Sequence, residues 1–121
     1  MNAKSPALTL NQSDISAILC ALPLISNATA NTSKQTMRNI NCCNSVQNKL
    51  IQKIPHFTSN EIRVIYSAVL AAKLYLGGID TDFIDTSHID SEWRKELQKN
   101  FFVYNRLESL LEKEVEKYQN R

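Results

Sequence analysis

The sequence predicts an all-α protein, and more narrowly a single-domain four-helix bundle, mostly antiparallel, with a long C-terminal helix. Apolar residues recur every three or four positions over most of the chain, as in amphipathic helices. The 121 residues include only 2 glycines and 3 prolines, which are too few for the many turns of an all-β fold. A chain of this length is expected to form one domain. We place that domain at residues 11–121, after a flexible N-terminal arm at residues 1–10.

The central helix is predicted within residues 57–78, FTSNEIRVIYSAVLAAKLYLGG. Thr58 and Glu61 have the spacing of a capping box, in which each side chain binds the backbone N–H of the other residue. Gly77 and Gly78 are suited to the left-handed conformation that closes a helix. The residues between these signals are apolar on nearly every side, so this helix needs neighbours around most of its circumference. Its apolar run of about 13 residues is shorter than the roughly 20 that a membrane span requires.

Two helices are expected before the central one. Asn11 and Asp14 can cap the first, and Pro23 is expected to end or kink it. The second follows the polar loop at residues 26–33 and extends to about Ile54, where the next residue is a proline that forbids continuation.

The last and longest helix is predicted from Glu92 to about Tyr118, with Ser91 as its N-cap. Its main apolar stripe repeats every seven residues. Because this helix is longer than its predicted neighbours, its last turns are expected to extend past the bundle and leave apolar side chains uncovered. The uncovered side chains are expected to be Leu110, Leu111, Val115 and Tyr118. With Tyr104, an aromatic residue that would add affinity when buried at an interface, they form a candidate face for a protein partner or a second copy.

Charge is distributed unevenly along the chain, although the formal net charge is only +2. Between Asp14 and Glu61 there is no carboxylate. The polar side of the second helix is therefore predicted to be a basic, amide-rich stripe that could face an anionic partner. The candidate residues for this face are Lys34, Arg38, Lys49 and Lys53.

Two readings of the N-terminal region compete. The apolar run at residues 15–25 and the triplet at residues 28–30 imitate a secretory signal with its cleavage site. The segment before that run is long and polar, however, and contains Asp14. We therefore expect a cytoplasmic protein. The odd number of cysteines, at positions 20, 42 and 43, also indicates reduced thiols.

No catalytic, metal or nucleotide motif is found in the sequence. The acidic segment that begins at Asp80 imitates a calcium loop, but Asp85 and Ser91 occupy positions where the EF-hand needs glycine and glutamate. His56 and His88 have no ligand or nucleophile spacing around them. We therefore expect no enzymatic activity, no cofactor, no metal and no small-molecule substrate.

Two functions from different classes fit these observations. The first is a small helical interaction protein, an adaptor, regulator or inhibitor that acts by contact with another protein or with itself as a homo-oligomer. The alternative is a weak nucleic-acid-binding protein that uses the basic stripe. It is less favoured because the stripe has few of the arginine and aromatic side chains that recognise nucleic acids. We expect no membrane partner, and the sequence leaves the partner and the biological process open.

Overall fold

A computed structural model describes the protein at residues 8–26, 33–79 and 89–119, and within these ranges it describes every side chain except those of residues 26, 33–40, 118 and 119. The described chain is all-helical, as predicted, and contains no β-strand within those ranges. Its helices are α1, Gln12–Ser26; α2, Ser33–Ile51; α3, Ser59–Leu76; α4, Ser91–Lys99; and α5, Phe101–Gln119.

The predicted start and stop signals of α3 are confirmed. The Thr58 hydroxyl accepts the Glu61 N–H at 3.1 Å, and the Glu61 carboxylate accepts the Thr58 N–H at 2.7 Å, so both halves of the capping box are present. At the other end Gly78 has a φ of 74°. Glycine adopts this left-handed conformation without the steric cost that a Cβ atom would bring.

α3 is covered by the other helices on several sides, as its apolar circumference requires. It contacts α1, α2, α4 and α5, and its alanines at positions 68, 71 and 72 are fully buried. Small side chains at these positions allow neighbouring helices to approach closely. One hydrophobic cluster joins buried side chains of all five helices around α3.

α1 begins as predicted and continues further than predicted. The Asn11 side chain accepts the Asp14 N–H at 2.8 Å, and the Asp14 carboxylate accepts the Asn11 N–H at 3.0 Å. Pro23 lies inside the helix, which continues to Ser26, so the predicted possibility that Pro23 ends the helix is wrong. Proline removes one backbone hydrogen bond, but Leu22 and Leu24 beside it are buried in the core, and their packing keeps this turn helical.

α2 ends at Ile51, three residues earlier than predicted. The Ile54 N–H donates to the Lys49 carbonyl at 2.8 Å, and the Lys53 N–H donates to the Leu50 carbonyl at 3.2 Å. This is the Schellman pattern of helix termination, in which glycine usually occupies the left-handed position. Here the left-handed residue is Lys53, with a φ of 59°, a conformation that costs a non-glycine residue about 1 kcal/mol or more.

The expected single C-terminal helix is two helices that meet at Asn100. This residue has φ −96° and ψ 10°, away from the helical values near −63° and −42°. Its side-chain amide donates to the Glu96 carbonyl at 2.9 Å, which competes with the regular backbone hydrogen bond at this point. The predicted cap is also one residue off, because Asp90 accepts the Trp93 N–H at 2.8 Å and Ser91 is the first helical residue.

The end of the N-terminal arm packs onto the helices. Leu8 is buried, and its N–H donates to the Pro55 carbonyl at 2.9 Å. The expected flexible arm therefore excludes at least Leu8, and residues 1–7 lie outside the described ranges. Most of the predicted loop at 26–33 and of the acidic connector after Gly78 also lies outside them.

Three polar contacts fasten α1 to the C-terminal helices. The Tyr104 hydroxyl donates to the Ala17 carbonyl at 2.8 Å. The Trp93 indole N–H donates to the Cys20 carbonyl, also at 2.8 Å. The Arg106 guanidinium binds the Asp14 carboxylate, which is 2% exposed, whereas the arginine side chain is 51% exposed. Asp14 therefore both caps α1 and joins it to α5.

Because the Asp14 carboxylate is buried, Arg106→Ala is expected to lower the free energy of unfolding by about 3 kcal/mol, since it leaves a buried charge without its cation. Asp14→Ala removes the charge itself, and the two substitutions combined should cost less than the sum of their separate costs. Urea unfolding of the single and double variants measures this coupling. Arg94→Ala, at an exposed position on α4, is the control and should change stability by less than about 0.5 kcal/mol. Additive costs for Asp14 and Arg106 would contradict the ion pair.

Candidate functional site

The candidate partner face on the last helix is mostly internal. Tyr104 and Leu111 are fully buried, Val115 is 8% exposed, and Leu110 is partly buried against the core. The side chain of Tyr118 lies outside the described side chains. The expectation that the apolar groups of the last turns lack an intramolecular cover is therefore wrong for Leu111 and Val115, and Tyr104 is buried within the protein. These side chains are covered because α3, an 18-residue helix, packs along α5.

Tyr104 acts as an internal polar contact. Burial, followed by the influence of the neighbouring Cys20 thiol, raises the pKa of its hydroxyl. The hydroxyl therefore stays protonated at neutral pH and remains a donor to the Ala17 carbonyl. A buried tyrosine with a satisfied hydroxyl stabilises a helix crossing and is not available to a partner.

The predicted basic stripe on α2 is interrupted at Lys49. The Lys49 ammonium binds the Glu61 carboxylate at 2.6 Å, and it also lies 5.7 Å from the centre of the Phe57 ring. Lys53 is exposed. The side chains of Lys34 and Arg38 lie outside the described side chains. Sequence reasoning missed the carboxylate partner because it comes from the start of α3 and not from α2.

Glu61 is a buried carboxylate with donors from three directions. Besides the Thr58 N–H and the Lys49 ammonium, it accepts the hydroxyl of Ser45 on α2. Burial alone would raise its pKa, but the hydrogen bonds from Lys49, Ser45 and the Thr58 backbone outweigh burial and lower the pKa below the ordinary value of 4.5. The arrangement joins α2 to the first turn of α3.

Large apolar side chains are exposed at positions that the sequence prediction did not single out. Phe102 is 82% exposed and contacts the Phe101 ring edge to face, with 5.8 Å between centroids. Ile79, directly after the end of α3, is 54% exposed. The sequence does contain a signal for the exposure of Phe102, because this residue does not belong to the seven-residue apolar repeat that includes Leu97 and Tyr104. An aromatic residue that is nearly free of contacts on a helix of a folded protein is a candidate anchor for a partner.

A cavity of about 210 Å³ opens near the end of α2. Its wall is formed mainly by apolar residues of the N-terminal arm, α1, α2 and the turn that precedes α3, among them Leu8, Ile15, Leu50 and Phe57. The polar residues in its lining are Gln12 and Lys53. Sequence patterns did not predict this cavity, because its walls come from two stretches, 8–15 and 50–57, that are far apart along the chain.

The thiols and carboxylates do not form a recognisable reaction centre in the described chain. Cys20, Cys42 and Cys43 are free thiols. Burial raises the pKa of each, for Cys43 to about 11, so all three are mainly protonated at neutral pH and are weak nucleophiles. Within the described residues, no three histidine, cysteine or acidic side chains are grouped as metal ligands.

The described part of the chain contains no helix long and apolar enough to cross a lipid bilayer.

Comparisons of the chain with protein-family models, with curated proteins and with solved structures find no match. Function is therefore inferred from the chain's own residues and their geometry.

The lowered pKa of Glu61 predicts how stability depends on pH. A carboxyl group whose pKa is lower in the folded state stabilises the fold above the pKa of the unfolded state, and this contribution is lost as the pH falls through the folded pKa. The free energy of unfolding should therefore fall below about pH 4.5. In Glu61→Gln this fall should be smaller, and stability at neutral pH should be about 1 to 3 kcal/mol lower.

Urea unfolding between about pH 6 and about pH 3 measures both effects. Glu112→Gln is the matched control, because Glu112 is exposed on α5 and should leave the pH profile unchanged. Parallel profiles for the wild type and Glu61→Gln would show that the Glu61 carboxylate does not stabilise the fold in the way described.

Proposed function

We propose that the protein is a small non-enzymatic helical interaction protein that acts by protein contact, and that its simplest partner is a second copy of itself. The observation that carries the proposal is Phe102, an aromatic side chain that is 82% exposed, whereas Tyr104 on the same helix is fully buried. Burying one phenylalanine at an interface contributes about 1.5 to 3 kcal/mol. Adaptor, regulator and inhibitor are roles that such a contact would serve.

The finer architecture that we propose is a single-domain four-helix bundle, mostly antiparallel, in which α4 and α5 together form the fourth helix. Two contacts support an antiparallel α3 and α5. Lys73 on α3 binds Glu108 on α5 at 2.5 Å, while Tyr66, earlier on α3, lies near Glu112 and Glu116, later on α5.

This arrangement would place two exposed apolar residues at one end of the bundle. Ile79 follows the C-terminal end of α3, and Phe102 lies in the first turn of α5. Antiparallel helices would place these two helix termini at the same end of the bundle. We name Phe102 and Ile79 the end patch. A continuous exposed apolar patch is typical of a contact surface between proteins.

Nucleic-acid binding by the basic stripe is the alternative function. Lys49 is already paired with Glu61, which leaves at most three of the four candidate cations for phosphates: Lys34, Arg38 and Lys53. Binding of duplex DNA that weakens by about 2 to 3 log units per log unit of salt would favour this alternative. We also propose a cytoplasmic location, where free thiols such as Cys43 persist.

The end patch predicts self-association that depends on Phe102. In sedimentation velocity over a range of concentrations, the wild type should show a monomer–dimer equilibrium, and Phe102→Ser should raise the dissociation constant by at least about tenfold, because each copy loses an apolar anchor.

Ile51→Ser is the matched control for Phe102→Ser. Ile51 is also exposed, at 61%, but it follows the part of α2 that binds the start of α3. The length of α3, about 27 Å for 18 residues, separates it from the end patch. Equal effects of the two substitutions, or a wild type that remains monomeric at every concentration, would contradict self-association through the end patch.

A further inference from the structure

The cavity at the end of α2 is lined mainly by apolar side chains. Leu8, Leu50 and Phe57 are each at most 3% exposed and form part of its wall. The cavity is partly open to solvent and has a volume of about 210 Å³, whereas an enclosed apolar cavity of about 150 Å³ is known to admit benzene. Scaled from the six carbons of benzene, the space suits a molecule of about eight carbons. Apolar walls favour a ligand that removes its own hydrocarbon surface from water.

Among the described residues, Lys53 is the one charged residue in the cavity lining. It holds a left-handed backbone conformation at the helix-closing position, where glycine is the usual residue. It is exposed, and no ion pair of Lys53 occurs among the described residues. A lysine kept at a strained position beside an apolar cavity suggests a role for its charge.

We propose that this cavity binds a small apolar monocarboxylate, with the hydrocarbon chain against the apolar wall and the carboxylate at Lys53. The Gln12 side-chain amide, also in the lining, provides a further hydrogen-bond donor for a carboxylate oxygen. One cation and one neutral donor match a singly charged head group better than a doubly charged one. This proposal is independent of self-association through the end patch.

The test uses octanoate, octanol and octylamine as probes of the full chain, with binding followed by chemical-shift changes in two-dimensional NMR. Octanoate should bind most tightly and octylamine least, and the shifts should centre on Leu50, Ile54 and Phe57. In Lys53→Gly the affinity for octanoate should fall by about twofold to fivefold, the range of an exposed charge pair, and approach that for octanol.

Lys53→Gly also separates loss of binding from loss of folding. Glycine relieves the strained backbone, so this variant should unfold at a melting temperature equal to that of the wild type or higher by about 2 to 5 °C. Lys113→Gln, which removes a charge outside the cavity lining, should bind octanoate as the wild type does. Ile15→Phe, which fills part of the cavity, should weaken octanoate and octanol together.

Three results would overturn the proposal. Octanoate could fail to bind even at millimolar concentration, octanoate and octanol could bind equally to the wild type, or Lys53→Gly could bind octanoate as tightly as the wild type. Each is measured on a folded protein, because the same NMR spectra report whether the variant keeps the native dispersion of signals.

Discussion

The fold depends on the burial of α3 by the other helices. This helix carries apolar side chains around most of its circumference, and one exposed face would leave a large hydrophobic surface in water. The fully buried Ile65, Val69 and Ala72 show how far the covering extends. α1, α2, α4 and α5 all contact α3, and the apolar stripes of these helices follow from that requirement. Val46 on α2, Leu97 on α4, and Leu107 and Leu111 on α5 are all fully buried within the same cluster.

Two capping carboxylates extend local helix chemistry into tertiary structure. Asp14 and Glu61 each stand three residues after an N-cap, accept a backbone N–H of their own helix, and bind a cation from another helix. Both are buried. A buried carboxylate is costly without compensating partners, so these pairs favour one arrangement of the helices over others of similar hydrophobic burial.

Local signals in the sequence were sufficient for some elements and not for others. The capping box at Thr58 and the glycine stop at Gly78 depend only on neighbouring residues, so both were predictable. The break at Asn100 was not, because it depends on one side-chain hydrogen bond within a continuous apolar pattern. The cation partners of Asp14 and Glu61 were also unpredictable, since Arg106 is 92 residues from Asp14 and Lys49 is 12 from Glu61, and periodicity carries no information about such pairs.

The same limit explains the candidate sites. The stripe through Tyr104 and Leu111 was correctly predicted as apolar, but its assignment to a partner failed because the length of α3 beside it was enough to cover it. Phe102 and Ile79 are exposed, and the cavity beside Lys53 is open to solvent. Both features depend on the meeting of separate segments, which the packing around α3 brings together.

Native-state hydrogen exchange tests that packing most directly. If α3 is covered on most sides, its amides between Ile65 and Ala72 exchange only when the whole protein unfolds, with the free energy that urea unfolding gives. The helices around it should show smaller opening energies at their ends. Exchange of the α3 amides through a local opening of lower free energy, while α1 or α5 stays protected, would contradict the central position of this helix.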